Sequence, residues 1–325
     1  MRKNITCKLA LLVFTAASLT IFTGCATLTD EDAAFFTSVG NDSQTISLNK
    51  PEGVSLHKIG SETVIYISNS ESHSILKITP EGKLLNVYGK DGQAGESTWT
   101  FDSPKGIDVD SQGNVYVADT TNSRVVKFQP DETVNDETDA SNFHVFGEPG
   151  ASNTQLNTPT DVVVYESEGS NFLFISDLNN ARIQRIDSSV SNPGTPASFS
   201  VGDFAPWGLN CFDTTLVVTN KKTEFSQVHI LDITLVESST FGSEGSGADN
   251  LNSPKGISSD ADFLYICDYF NKRIKVTTKT GDFVRFLSGT FENPVDIDVN
   301  DSYIVVVDDG GVLESSTGGI HIIKK

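Results

Sequence analysis

The chain has 325 residues, with 23 basic side chains against 43 acidic ones and a formal charge of −20 at pH 7. So acidic a surface repels phosphate backbones and anionic bilayers, which argues against nucleic acid as a partner. Four cysteines exclude a disulfide-rich scaffold, so stability has to come from a large apolar core, and the length suffices to build one.

In chain order, Arg2, Lys3 and Lys8 precede a mostly apolar run from Leu9 to Phe22. The run is too short to span a bilayer comfortably and sits where the apolar region of an export signal sits. The stretch Ile21-Phe22-Thr23-Gly24-Cys25 resembles the bacterial lipobox, with Phe22 where leucine is usual. That resemblance implies a signal peptide over 1–24, acylation of Cys25 and a lipid tether over 25–34. The protein is then exported and anchored to a bacterial membrane, and Ala26 after the cysteine suits the outer membrane of a two-membrane host. An ordinary signal peptide cut nearby is the plainer alternative. Removing residues 1–24 takes away three positive charges and no acidic ones, leaving the mature chain more acidic still.

The remainder is organised by an internal register. Six segments begin at Pro51, Pro104, Pro159, Pro206, Pro254 and Pro294. Four continue as Pro-x-Gly, and two carry aspartate in the glycine slot, Asp161 and Asp296. An alternating or apolar run follows each proline as a first strand, a. A second β-rich run, b, ends in a small or β-branched residue and Asp or Asn, at Asn69, Asp119, Asp177, Asn220, Asp268 and Asp308. Three segments then read Asp-x-x-Asn-x-Arg: Asp119, Asn122 and Arg124 in the second, Asp177, Asn180 and Arg182 in the third, and Asp268, Asn271 and Arg273 in the fifth. A third strand, c, and a fourth, d, complete each unit. Short, β-branched, punctuated runs exclude a helical reading. Four strands per unit is the pattern of propeller blades.

The chain is therefore read as all-β: a six-bladed β-propeller of four-stranded antiparallel blades. The last segment runs out at Ile320–Ile323, on strand c. Phe35–Gly40 supplies the missing outer strand, so the N-terminal strand completes the last blade and removes a sheet edge. The propeller is one domain over 35–325, expected as a monomer. Leu48, Phe101, Leu156, Leu251 and Phe291, ahead of the prolines, read as core plugs. Asn49, Asp102, Asn157 and Asn252 suit polar turns into strand a.

Pro-x-Gly followed by an aromatic, small-Asp and x-x-Asn-x-Arg resembles the NHL-repeat signature, most clearly in the second, third and fifth segments. The resemblance implies a propeller and leaves function open, because the family is diverse. The Asp-x-x-Asn-x-Arg residues are read as structural: a carboxylate five residues before a guanidinium, across a b–c hairpin, pairs charges and caps the turn. Three copies on three blades cannot form one active site.

Propellers carry ligands at the channel mouth and on the loops of one face. The d–a and b–c loops share one face, and Trp99, Lys105, Trp207, Lys221, Lys222, Lys255, Tyr269 and Phe270 fall on it. Trp99, Lys105, Trp207, Lys255, Tyr269 and Phe270 are the candidate ligand residues. The acidic stretch Gln129–Asn142 falls on the other face. The expected role is a non-catalytic, envelope-anchored binding propeller for a protein, peptide or glycan ligand, with no cofactor and no metal.

The alternative is a metal-dependent lyase or lactonase at the channel mouth. The peptide-amidating lyase and the sugar lactonases are propellers with bound metal, and Glu52 and Asp108 stand near where lactonase ligands would lie. His57, His73, His144, His229 and His321 fall on strands and turns that do not converge. Cys211 and Cys267 lie in neighbouring blades, which would allow a disulfide in an oxidising compartment; two buried thiols is the reading we prefer.

Overall fold

The computed structural model describes residues 33–40, 45–89, 93–95, 97, 100–130, 143–167, 170–188, 196–310 and 318–325. Cys25, the signal segment, Trp99 and most of Gln129–Asn142 lie outside the described residues.

The described chain forms six four-stranded antiparallel sheets and one small two-stranded sheet. In the first blade the strands run Pro51–Ile59 (a), Glu62–Asn69 (b), Ser74–Ile78 (c) and Leu84–Tyr88 (d). The other five a strands are Pro104–Val109, Pro159–Ser167, Pro206–Phe212, Pro254–Ser259 and Pro294–Val299. The prolines thus open the innermost strand of each blade, where the missing N–H is not needed for the ladder.

Strand b is buried along nearly all its length, and in Val115–Asp119 throughout. Each blade packs between two others, so both faces of its middle strands are covered, and the sequence there is a continuous apolar run rather than an alternating one. Each of the six blade interfaces holds its own apolar cluster. The cluster joining Val295, Val305 and Val307 of the sixth blade to Ile65 and Ile67 of the first closes the ring. Leu48, Phe101, Leu156, Leu251 and Phe291 are all buried and plug the turns that lead into strand a.

The N-terminal strand completes the sixth blade, pairing antiparallel with Gly319–Lys324 in the register Ala33↔Ile323 to Phe36↔Ile320. Its limits differ from the expected Phe35–Gly40. The strand spans Ala33–Phe36, and Ser38–Gly40 turns away to pair with Thr45–Ser47. The partner's length limits it: the c strand begins at Gly319, one residue beyond the last pair Phe36↔Ile320, so almost no ladder remains for residues past Phe36. Ala33 and Ala34, expected ahead of the domain, therefore belong to the propeller. Val39 is then free to enter the core between the sixth and first blades.

Phe35 lies on His321, with ring centroids 4.4 Å apart. Removing the closing strand takes away a ladder and bares an edge. A chain truncated to begin at residue 37 should unfold at lower denaturant by several kcal/mol and aggregate, whereas one beginning at residue 33 keeps the full-length midpoint. Equal urea midpoints for the two truncations would refute closure by this strand.

Candidate functional site

The Asp-x-x-Asn-x-Arg motifs repeat one network. In the third blade Asp177 Oδ2 accepts from Arg182 Nε at 2.8 Å and Asn180 Nδ2 at 2.8 Å, while its Oδ1 accepts the Asn157 N–H at 2.7 Å. Arg182 continues to the carbonyls of Ser152 and Gln155, and Asn180 to that of Gly150. In the second blade Asp119 Oδ2 accepts from Arg124 Nε at 2.7 Å and Asn122 Nδ2 at 2.8 Å. There Arg124 reaches the carbonyls of Ser97 and Thr100, and Asn122 that of Gly95. In the fifth blade Asp268 Oδ2 accepts from Arg273 Nε at 2.7 Å and Asn271 Nδ2 at 2.8 Å. Arg273 continues to the carbonyls of Ser246 and Gly247, and Asn271 to that of Gly245.

The motif therefore clamps the d–a loop that leads into its own blade. Sequence pattern pairs the arginine with the aspartate across the hairpin, but it does not show that Asn122, Arg124, Asn271 and Arg273 reach back to loop carbonyls some 25 residues earlier. In every blade the residue ending strand b accepts an N–H from just ahead of the proline: Asn69 from Asn49, Asn220 from Ala205 and Asp308 from Asn293 complete the set. These residues position the loops of one face and are far too dispersed to act together.

What does converge is the start of the a strands. Each is bulged at its first residues, as the register shifts at Pro51/Gly53, Pro104/Ile107 and Pro159/Asp161 show, with the same shift in the other three blades. A bulge re-aims a side chain. The second residues of the strands are Glu52, Lys105, Thr160, Trp207, Lys255 and Val295. Lys105 Nζ lies 2.9 Å from Glu52 and 5.2 Å from the Trp207 ring centroid. Lys255 Nζ lies 5.0 Å from the Trp207 centroid, 3.5 Å from that of Tyr269 and 3.8 Å from Asp309. Lys221, just past strand b of the fourth blade, sets its ammonium 3.7 Å from the Trp207 centroid. The Tyr269 hydroxyl donates to Asp309 at 3.0 Å. One tryptophan thus carries three lysines at the mouth of the channel.

The structure brings together Lys105, Trp207, Lys255 and Tyr269. Trp207 and Lys255 are buried, so the indole supports the ammonium groups and offers little face of its own. Phe270 is 60% exposed and packs edge-on to Tyr269 at 5.0 Å, on the rim. Glu52 and Asp309 complete the mouth. Burial works to raise the Glu52 carboxyl, but Lys105, Lys255 and Lys50 together hold it below its ordinary range. Burial pushes the Lys221 ammonium down to about 8, with Lys255 and Lys105 adding repulsion. Lys255 is likewise pushed down to about 8 by burial, against the pull of Glu52 and Asp309.

Below the mouth the channel is lined by Asp108, Asp161, Asp296 and Asp298. Each accepts a main-chain N–H from the next blade: Val164 to Asp108 at 2.7 Å, Leu209 to Asp161 at 2.7 Å, Val54 to Asp296 at 2.9 Å and Leu56 to Asp298 at 2.7 Å. The two aspartates in the glycine slot need room in the blade before them. A methyl group on Gly106 would overlap the Asp161 carboxylate, and one on Gly256 the Asp296 carboxylate. Burial raises all four carboxyls, Asp108 to about 7, and the charge of Asp296 raises Asp161 further. Among the described residues no group of three or more His, Cys, Asp or Glu side chains is arranged to hold a metal ion. Cys211 and Cys267 are free thiols.

A carboxyl raised on folding favours the fold when protonated. Its stabilisation is complete below the unfolded value, near 4, and is lost as pH rises through the folded value. Unfolding free energy should therefore fall from about pH 4 to about pH 7, most steeply midway between the unfolded and folded values of Asp108, and level off above the folded value. In Asp108→Asn the fall should be shallower. Urea midpoints for both chains across that range check this, and identical slopes would contradict it.

The described geometry matches known propellers. Residues 101–128 match the NHL repeat model. A human NHL repeat-containing protein 3 is 26% identical over 153 residues, covering 44% of this chain and 41% of the relative. The chain thus matches less than half the length of that curated relative. A virginiamycin B lyase from Staphylococcus aureus, solved with quinupristin, is 14% identical with a TM-score of 0.58 over 92% of this chain and 97% of that one. A gluconolactonase from Xanthomonas campestris is 14% identical with a TM-score of 0.61 over 85% and 86%. At these identities the likeness is one of fold.

Proposed function

We propose that the protein is a binding propeller anchored in a bacterial envelope by a lipid on Cys25, and that it takes a protein, peptide or glycan ligand at the channel mouth. The observation that carries this is the convergence of Lys105, Lys221 and Lys255 on Trp207, beside Tyr269 and the exposed Phe270. Cationic and aromatic groups gathered at a concave mouth are the composition of a recognition site. They stand out because the chain as a whole is strongly acidic.

The direction of the closing strand supports the orientation. Ala33 pairs with Ile323, near the end of the c strand, so the chain enters on the face opposite the mouth. A lipid on Cys25 would tether that face within about 28 Å of extended chain. The mouth would then point away from the bilayer.

The lyase and gluconolactonase neighbours favour a second reading, metal-dependent catalysis on the same scaffold. Metal analysis of the purified chain separates the two: stoichiometric divalent metal supports the enzyme, and a metal-free chain that still binds supports the binding reading.

A pull-down from the envelope with the soluble propeller supplies the ligand. Lys105→Gln and Lys255→Gln should each weaken its binding by about tenfold, the range for a lost charged hydrogen bond, while the chain still folds with a lowered melting temperature, since each change takes a cation from the buried Glu52. Neutralising Asp131, Glu132 and Asp136 should leave binding unchanged. Loss of binding in the acidic-loop variant alone would reverse the site and the orientation.

A further inference from the structure

We infer that the channel mouth holds an oxyanion group of its ligand, a carboxylate, sulfate or phosphoryl group, among Lys105, Lys221 and Lys255; this deepens the binding reading above and rests on it. Three ammonium groups lie within 5.2 Å of one ring centroid. Two have acidic neighbours, Lys105 with Glu52 and Lys255 with Asp309. Lys221 lies over the indole and has no carboxylate within ion-pairing distance among the described residues. A ring face attracts a cation but offers its N–H donors no acceptor oxygen, so Lys221 retains capacity for an anion.

The surroundings fix where that anion stops. Below the mouth the described lining holds four aspartates and no basic side chain, so a negative group finds no cation by moving deeper. Trp207 is buried beneath the lysines and holds their ammonium ends together without competing for the ligand's charge. A cationic ligand would meet three like charges at the same place.

The protonation of the lysines gives the site a pH signature. The titratable groups facing Lys221 and Lys255 are Lys105, Glu52, Asp309, Tyr269 and Cys267. An oxyanion favours the charged ammonium, so binding takes up protons where Lys221 and Lys255 are partly neutral, near pH 8. Affinity is highest below that value and falls as pH rises through it.

The test titrates the full propeller with sulfate, inorganic phosphate and acetate at constant ionic strength, read by calorimetry and tryptophan fluorescence. At least one of the three should bind saturably, and the one that binds best identifies the oxyanion. Lys221→Gln should weaken that binding by about tenfold, Lys221→Arg should keep it within about threefold, and Lys58→Gln, on an exposed residue at the far end of its strand, should leave it unchanged. Affinity should fall from pH 7 to pH 9. Absence of saturable binding by all three, binding indifferent to Lys221→Gln, or affinity rising with pH would each overturn the oxyanion site. An envelope ligand that binds Lys221→Gln as well as the native chain would refute the oxyanion site and leave the binding role standing. Saturable oxyanion binding with no ligand captured from the envelope would uphold the site and count against the wider role.

Discussion

The fold depends on bringing six inner strands close enough around one axis for main chain to meet main chain. Side chains at the third position of each strand decide whether that approach is met. Four blades use glycine there, and two use an aspartate whose carboxylate accepts the next blade's N–H. The aspartates fall three blades apart, and each follows a blade whose glycine leaves space for it. The acidic channel is therefore a consequence of how the blades are stapled. It raises carboxyls whose burial is only partly offset by the N–H groups they accept.

The same inner-strand geometry produces the mouth. A bulge at the first residues of strand a re-aims the second residue, so Glu52, Lys105, Trp207 and Lys255 become neighbours although far apart in sequence, while Val295 stays in the packing between the sixth and first blades. Glu52 and Lys105 meet across adjacent blades, and Lys105 and Lys255 reach the indole of Trp207. The networks of Asn122 and Arg124, of Asn180 and Arg182, and of Asn271 and Arg273 fix the loops that frame this mouth. The motif networks and the lysine-rich cluster thus share one face but occupy different radii.

Much of the architecture was legible in the sequence because it is written by repetition. The prolines marked the inner strands, the Asp and Asn endings marked where strand b stops, and the apolar residues ahead of the prolines were buried plugs. The closing strand was legible in kind but not in extent, since its limits are set by a partner at the other end of the chain. The loop face was legible as a list of residues and not as a site. Nothing in the spacing of Trp207 says that it would be buried beneath three lysines, and Lys221 carries no motif. Nor does an aspartate in a glycine slot announce that it will accept from the following blade. Those facts follow from the radius at which six strands meet, which no single repeat encodes. The readings of Trp99, Cys25 and the acidic stretch fall outside the described residues.

Recognition at the lysine-rich mouth, and not on the opposite face, is what the proposed function stands on. Hydrogen exchange by mass spectrometry, on the propeller with and without its captured envelope ligand, tests it most directly. Binding at the mouth should slow exchange in the segments around Glu52, Lys105, Lys221, Lys255 and Tyr269 and leave the a–b and c–d turns unchanged. Protection confined to the a–b and c–d turns, with the mouth exchanging as in the free protein, would contradict it.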